Sequence, residues 1–266
     1  MKPFLKWAGN KHRIFHKIKP YLLKNDRLIE PFLGSAAVFL NTSYENYLLG
    51  DTNFDLIQLY KHLQQEGQFF IDYCRRFFNK NFNTAEEFYR LRCLFNNTRE
   101  YRQRAALLLY LNKHCFNGLT RFNQKGEFNT PFSPYKSPYF PEKEMQYFHK
   151  HSKKAKFIHG DFLSTLKDVK QGDIVYCDPP YVGLSKTANF TQYTSEGFNH
   201  SQQLNLAKIA KHLASKGIRV IISNHDTQFT RSIYREATLI SLNVQRNISS
   251  KRLSRKKAQE VLAIFS

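Results

Sequence analysis

The sequence predicts an α/β fold: an open sheet with its ligands at the strand ends, interrupted by an inserted unit of helices and a hairpin. Three observations predict it. Short apolar runs end in acids near both ends of the chain, the stretch 53–113 has helical period, and 119–132 alternates around a turn. In chain order, Leu28-Ile29 is the first strand. It leads into Glu30-Pro31-Phe32-Leu33-Gly34-Ser35-Ala36-Ala37-Val38-Phe39, a tight turn and then a helix, whose small residues let a ligand approach the backbone. Tyr47-Leu48-Leu49-Gly50 is the second strand and ends in Asp51. An acid there commonly accepts from both ribose hydroxyls of a nucleotide-like ligand, although Asp51 also reads as a helix cap.

The middle of the chain has a different texture. Leu56, Leu59, Tyr60 and Leu63, then Phe69, Tyr73 and Phe77, then Phe88, Leu91 and Phe95 recur at helical spacing, and 105–111 is a strongly apolar helix start. Thr84 followed by Glu87 has the form of a capping box. Together these predict a small helical bundle whose aromatics form its core. Strand character on both sides of Asn123-Gln124-Lys125-Gly126 predicts a β-hairpin, an element that can enter a major groove. Lys156-Phe157-Ile158-His159 is a third strand, with Asp161 and Phe162 just beyond it. Val261-Leu262-Ala263-Ile264-Phe265 is a late strand.

The sharpest chemical signal is Asp178-Pro179-Pro180-Tyr181, delivered by the apolar strand Asp173-Ile174-Val175-Tyr176-Cys177. An exocyclic base amine is a poor nucleophile because its lone pair is delocalised into the ring. A carboxylate from Asp178 and the Pro179 carbonyl can accept its two hydrogens, favouring the tetrahedral nitrogen of a transition state. The prolines fix the corner's backbone, and Tyr181 can stack on an extrahelical base. A plain Pro-Pro turn after a strand is the bland alternative.

Composition narrows the partner. Across 266 residues, 41 Lys and Arg oppose 21 Asp and Glu, a formal net charge of +20 that attracts polyanions. The segment 237–259 has no acid and concentrates Arg246, Lys251, Arg252, Arg255, Lys256 and Lys257 between ordered-looking runs, a placement suited to gripping phosphates. Cys74, Cys93, Cys115 and Cys177 lack the spacing of a zinc site or a disulfide framework, and Cys177 reads as core packing. His149 and His151 read as an exposed helix end; no metal is expected. No apolar run of signal-peptide type or of the roughly 20 residues of a membrane span is seen, which leads to the expectation of a cytoplasmic, nucleoid-associated protein without a membrane or an obligate protein partner.

With these segments in this order, the chain resembles the Dam-type DNA adenine methyltransferases. The likeness is carried by Phe4 to Lys11, Glu30 to Gly34, Leu111-Asn112, Phe116 to Leu119, Gly126 to Asn129, Tyr135 to Pro141, Asp178 to Tyr181, Thr187 to Phe190 and Ile222 to Asp226. The resemblance implies a Rossmann-like S-adenosylmethionine-dependent methyltransferase sheet. It implies a catalytic domain of 1–55 and 145–266, and a target-recognition domain of 56–144 made of a helical bundle and a hairpin. It also implies methyl transfer from S-adenosyl-L-methionine to adenine in double-stranded GATC, with the base flipped out. By position, Trp7, Lys11, Phe32, Gly34, Asp51, Asp161, Phe162 and Asp178 are the expected cofactor residues, and Asp178, Pro179, Pro180 and Tyr181 the catalytic ones. Lys6, Phe116, Asn117, Leu119, Arg121, Pro131 and Tyr135 are the expected DNA contacts, with Phe116 and Asn117 filling the gap left by the base. The chain departs from the family pattern at Ala36 and Asn10, where glycines are usual, at Phe116 for tyrosine, and at Pro134 for a basic residue.

Overall fold

The computed structural model describes residues 1–181, 198–245 and 257–266, with backbone alone for 244, 245, 257 and 258. The Thr187 to Phe190 segment and the basic cluster from Arg246 to Lys256 lie outside the described residues, as does the Lys257 side chain. Strands β1 (Arg27–Glu30), β2 (Asn46–Asp51), β3 (Ala155–His159), β4 (Asp173–Cys177), β5 (Arg219–His225), β6 (Thr238–Gln245) and β7 (Lys257–Phe265) form one sheet in the order β3-β2-β1-β4-β5-β7-β6. The first five strands are parallel, and β7 runs antiparallel between β5 and β6. Right-handed crossovers need covering layers, and the strands alternate accordingly. Leu28, Leu49, Ile174, Tyr176, Ile221, Leu262 and Ile264 face one core, while Ile29, Leu48, Val175, Cys177, Val220, Ile222 and Ala263 face the other.

The second face is covered by α7 (Phe162–Leu166) and α8 (His200–Ala214), whose Leu206, Ala207 and Ala210 are buried, and by Tyr234 after α9 (Gln228–Ile233). The first face meets the N-terminal segment, including α1 (Phe15–Ile18), and then the long β2-to-β3 connection. That connection holds α2 (Phe54–Glu66), α3 (Gln68–Arg75), α4 (Ala85–Asn97), α5 (Tyr101–His114) and α6 (Glu142–His151). Asn53 caps α2 by accepting from the Leu56 amide at 2.9 Å, and Gly67 ends it at φ 55. Helix α5 begins at Tyr101, earlier than its apolar run suggests, because Glu100 caps the Arg102 and Gln103 amides. It is buried on all sides from Ala105 to His114, as a central bundle helix must be. Arg104 binds Asp55 in a bidentate pair at 2.5 and 3.0 Å, tying α5 to α2. The bundle's aromatics and the first sheet face share one continuous core.

Four expectations change. Phe69 is 82% exposed, because the break at Gly67 re-phases α3 so that Phe70, Ile71 and Cys74 face inward. His149 and His151 are half-buried, their ring nitrogens donating to the Leu63 and Phe39 carbonyls (2.9 and 3.1 Å), and the His149 ring fills the space beside Gly67. The capping box on α4 is half formed: Thr84 accepts from the Glu87 amide, while the Glu87 carboxylate turns to Arg90. The hairpin is reduced to antiparallel bridges at Phe122↔Phe128 and Cys115↔Phe132. Its strand edge is taken up elsewhere, since the Asn96 amide of α4 binds both the N–H and the carbonyl of Phe128 (2.8 and 3.2 Å).

Candidate active site

Strand order reverses at β1, which lies between β2 and β4; a sheet of this kind opens its ligand crevice beyond the C-terminal ends of those strands. The turn after β1 and the Asp178 corner after β4 both emerge there. Alternation along the strands puts Glu30, Ser223 and Glu260 on the same face as Leu28, Ile221 and Leu262, and these polar residues meet at the corner.

Lys11 is the hub. It is 4% exposed, with Nζ 2.9 Å from Asp178 Oδ1, 3.8 Å from Glu260 Oε2 and 3.0 Å from the Gly9 carbonyl, and 4.8 Å over the Tyr181 ring. A buried ammonium needs such compensation. The Tyr181 hydroxyl donates to Glu260 Oε2 at 3.1 Å and meets Ser223 Oγ at 3.1 Å, while His225 packs edge-on at 4.3 Å between centroids. Behind the corner, Gln203 donates to the Pro180 carbonyl (3.1 Å), and Asn224 donates to Gln203 (2.9 Å) and to the Tyr234 hydroxyl (3.0 Å). Gln203 and Asn224 are fully buried, so this chain of bonds holds the two-proline turn rigidly. Burial raises the Asp178 pKa to about 6, Lys11 pulls it down and Glu260 pushes it up. Burial likewise drives the Glu30 carboxyl well above the usual carboxylate range and the Cys177 thiol far up, so Cys177 packs rather than reacts.

On the other side of β1, the expected cofactor residues gather around the glycine turn. The Asp51 carboxylate accepts from the Gly34 amide (2.9 Å) and the Asn53 amide (2.9 Å), so it pins the turn and also plays the capping part. About four acceptor sites on a carboxylate leave capacity for two hydroxyls. Gly34 has φ 48, and a Cβ there would lie 3.1 Å from the Trp7 indole, so a larger residue would be strained and would press on that ring. Ala36 is fully buried at φ 61, which places a methyl in a left-handed conformation where the family has glycine. Asn10 needs no such conformation: it sits at φ −50 and its side chain caps the His12 amide. Phe32 stacks on Phe162 at 5.7 Å, and Phe198 packs edge-on against both. Phe162 is 4% exposed, so it forms a wall rather than an open stacking face. Asp161 is exposed at the end of β3 and accepts from the Ser164 amide and hydroxyl (2.8 and 2.7 Å).

The expected DNA residues form a separate, open surface. Asn112, fully buried, bonds both backbone groups of Lys6 (3.0 and 2.7 Å) and the Gly118 carbonyl (3.3 Å), which fastens the N-terminal segment to the 116–118 turn. Lys6 Nζ lies 4.8 Å over the Tyr135 ring. Phe116 is 52% exposed and Asn117 adopts φ 54, tolerable for asparagine. Pro131 is exposed, and its carbonyl accepts from the Phe116 amide at 2.9 Å. Arg121 is half-buried beside half-buried Leu119 and donates to Asn129 at 2.7 and 3.4 Å; of five guanidinium donors, three stay open.

Glu30, Gln203, Ser223, Asn224, His225 and Glu260 complete the corner, and Phe198 the aromatic wall beside the glycine turn; no role was assigned to any of them from the sequence. Glu260 had a usable signal, an acid on the buried parity of an apolar strand. Among the described residues no cluster of three or more His, Cys, Asp or Glu side chains is placed to hold a metal, and no helix is long and apolar enough to cross a membrane.

Residues 7–248 match the model of the D12 class N6 adenine-specific DNA methyltransferases. A protein called DNA adenine methylase from Serratia marcescens is 45% identical over 265 residues, covering 99% of this chain and 98% of its own. The like-named protein of Escherichia coli strain K12 is 44% identical, covering 99% and 95%, and that of Vibrio cholerae O395 is 43% identical, covering 100% and 96%. The chain acts on DNA as an adenine-specific methyltransferase and belongs to the D12 class N6 adenine-specific DNA methyltransferase family.

Proposed function

We propose that the enzyme methylates the exocyclic amine of adenine within duplex GATC, using S-adenosyl-L-methionine and a flipped-out base. The observation that carries it is the meeting, at the sheet's reversal point, of the Asp178 to Tyr181 corner with the Gly34 and Asp51 turn. The residues present fit the cofactor: Asp51 has acceptor capacity for a ribose, Phe32 offers a half-buried ring, and Asp178 suits a methionine ammonium, with Trp7, Lys11, Gly34, Asp161 and Phe162 around them. When bound, S-adenosylmethionine supplies an electrophilic methyl group.

The chain's own part is read from the family resemblance, with the geometry in support. Residues 56–144 read the site and the remainder of the chain does the chemistry. Basic side chains load the duplex with salt-sensitive affinity. Arg121 donates to guanine, while Leu119 and Pro131 contact neighbouring base edges. Phe116 and Asn117 fill the space left by the adenine, whose extrusion costs a few kcal/mol; Lys6 and Tyr135 grip the flank. Tyr181 holds the base, and ionised Asp178 with the Pro179 carbonyl accepts the amine hydrogens. The amine becomes acidic only as its new bond forms, so Asp178 need not remove a proton first. GATC itself rests on the family resemblance at Leu119, Arg121 and Pro131.

Mass spectrometry of short duplexes after incubation with S-adenosylmethionine tests this reading. Methylated adenine in GATC duplexes and none in scrambled ones is expected. Equal methylation of both removes the GATC assignment, and labelling of RNA or protein in preference to DNA removes the substrate.

A further inference from the structure

Glu260 is a buried acid to which the reaction as described gives no task. It is 6% exposed and lies on β7, paired across the sheet with His225 on one side and Leu242 on the other. A carboxylate taken from water is costly unless paired and hydrogen-bonded, and an apolar residue of similar volume is often as stable. Its partners are functional ones: Oε2 accepts from the Tyr181 hydroxyl at 3.1 Å and lies 3.8 Å from Lys11 Nζ. We propose that Glu260 is a positioning residue for methyl transfer, orienting Tyr181 through its hydroxyl and sharing the Lys11 ammonium with Asp178.

The sharing matters because Lys11 already sits 2.9 Å from Asp178 Oδ1, the carboxylate that must accept the adenine amine. A lone Lys11–Asp178 pair would commit the cation to that acceptor. A second carboxylate gives Lys11 somewhere to lean while the amine takes its place. Ser223, one strand away on the same face, provides the other contact to the Tyr181 hydroxyl, so the phenol is held from β5 and β7 together. The ionisable groups facing Asp178 are Lys11 from the N-terminal segment, Glu30 from β1, Tyr176 from β4, Tyr181 from the corner itself and Glu260 from β7. Of these, Lys11 and, more weakly, the Tyr181 hydroxyl favour its ionised form, and Glu260 opposes it.

The inference rests on Asp178 and Tyr181 being the catalytic corner, so both are measured together. Glu260→Gln keeps an acceptor for the phenol and removes the charge. It should lower kcat about tenfold, leave KM for DNA unchanged and move the acid limb of the kcat profile down by about half a pH unit, since a like charge near Asp178 is gone. Glu260→Leu should lower kcat further, and combined with Tyr181→Phe it should cost little more than the worse single change. Melting temperatures taken on each variant identify unfolded material. An unmoved pH profile in Glu260→Gln, with Glu260→Leu and Tyr181→Phe multiplying independently, overturns the role of Glu260 alone. Full activity in Asp178→Asn overturns the corner and this inference with it.

Discussion

At the corner, Asp178 and Tyr181 follow the end of β4, Glu260 lies on β7 and Lys11 on the N-terminal segment, with Asp178 Oδ1 paired to Lys11 and the Tyr181 hydroxyl bonded to Glu260. The expected reading surface is built otherwise: Phe116, Asn117 and Pro131 stand exposed on turns, and Arg121 is braced by Asn129. The difference follows from what each must do. A transition state gains from groups already aimed at it in a site of low dielectric. A duplex is met by side chains that must still exchange water for base edges and phosphates. Buried order serves the first task and exposed donors the second.

Substitutions at the two places should therefore fail differently. Asp178→Ala should reduce methylation by about 10³-fold or more while leaving duplex affinity nearly intact, read by mass spectrometry beside fluorescence anisotropy. Comparable loss of DNA binding would dissolve the contrast. Arg121→Ala should instead keep turnover on GATC within reach at high DNA concentration and lose about 1–3 kcal/mol of discrimination against single-base variants. Competition between cognate and altered duplexes measures it.

Acidity separates the regions again. In the proposed mechanism Asp178 accepts the amine in its ionised form, and its pKa is raised to about 6, so kcat should fall about tenfold per pH unit below that value. For stability the sign is opposite. The folded chain binds this proton more tightly than the unfolded one, so between the ordinary carboxylate pKa and about 6 the group's contribution to stability declines as pH rises. Asp178→Asn should remove that decline from a pH series of thermal melts. Gln203→Leu should leave the Pro180 carbonyl and Asn224 short of partners and cost about 1–3 kcal/mol of stability, with a drop in kcat. The smallest effect belongs to Ala36→Gly. Relief of a left-handed alanine, offset by the greater freedom of glycine when unfolded, should stabilise by about 0.5–1 kcal/mol, and calorimetry should show a rise in Tm.

What was legible in the sequence was local. The runs before Glu30, Asp51 and Asp178 announced strands through their apolarity, and Leu56, Leu59, Tyr60 and Leu63 announced α2 through their period, because both signals are carried by neighbours in the chain. Phe69 misled because one glycine at a helix junction resets the phase. Glu260 stayed hidden because its contact with Tyr181 spans 79 positions and exists only once β7 inserts beside β5. Lys6 reaches Tyr135 for a similar reason, through the buried amide of Asn112.

The long connection between β2 and β3 leaves at Asp51 and returns at Ala155, whose register partner on β2 is Tyr47, so between these parallel strands it travels back along the sheet. Its two ends are fixed by neighbouring strands, whatever length of chain lies between them. That connection can be lengthened or trimmed without displacing the strands that deliver Asp51 and Asp178. The shared aromatic packing beneath it sets the limit: a graft from another enzyme must bring along the rings that meet the sheet.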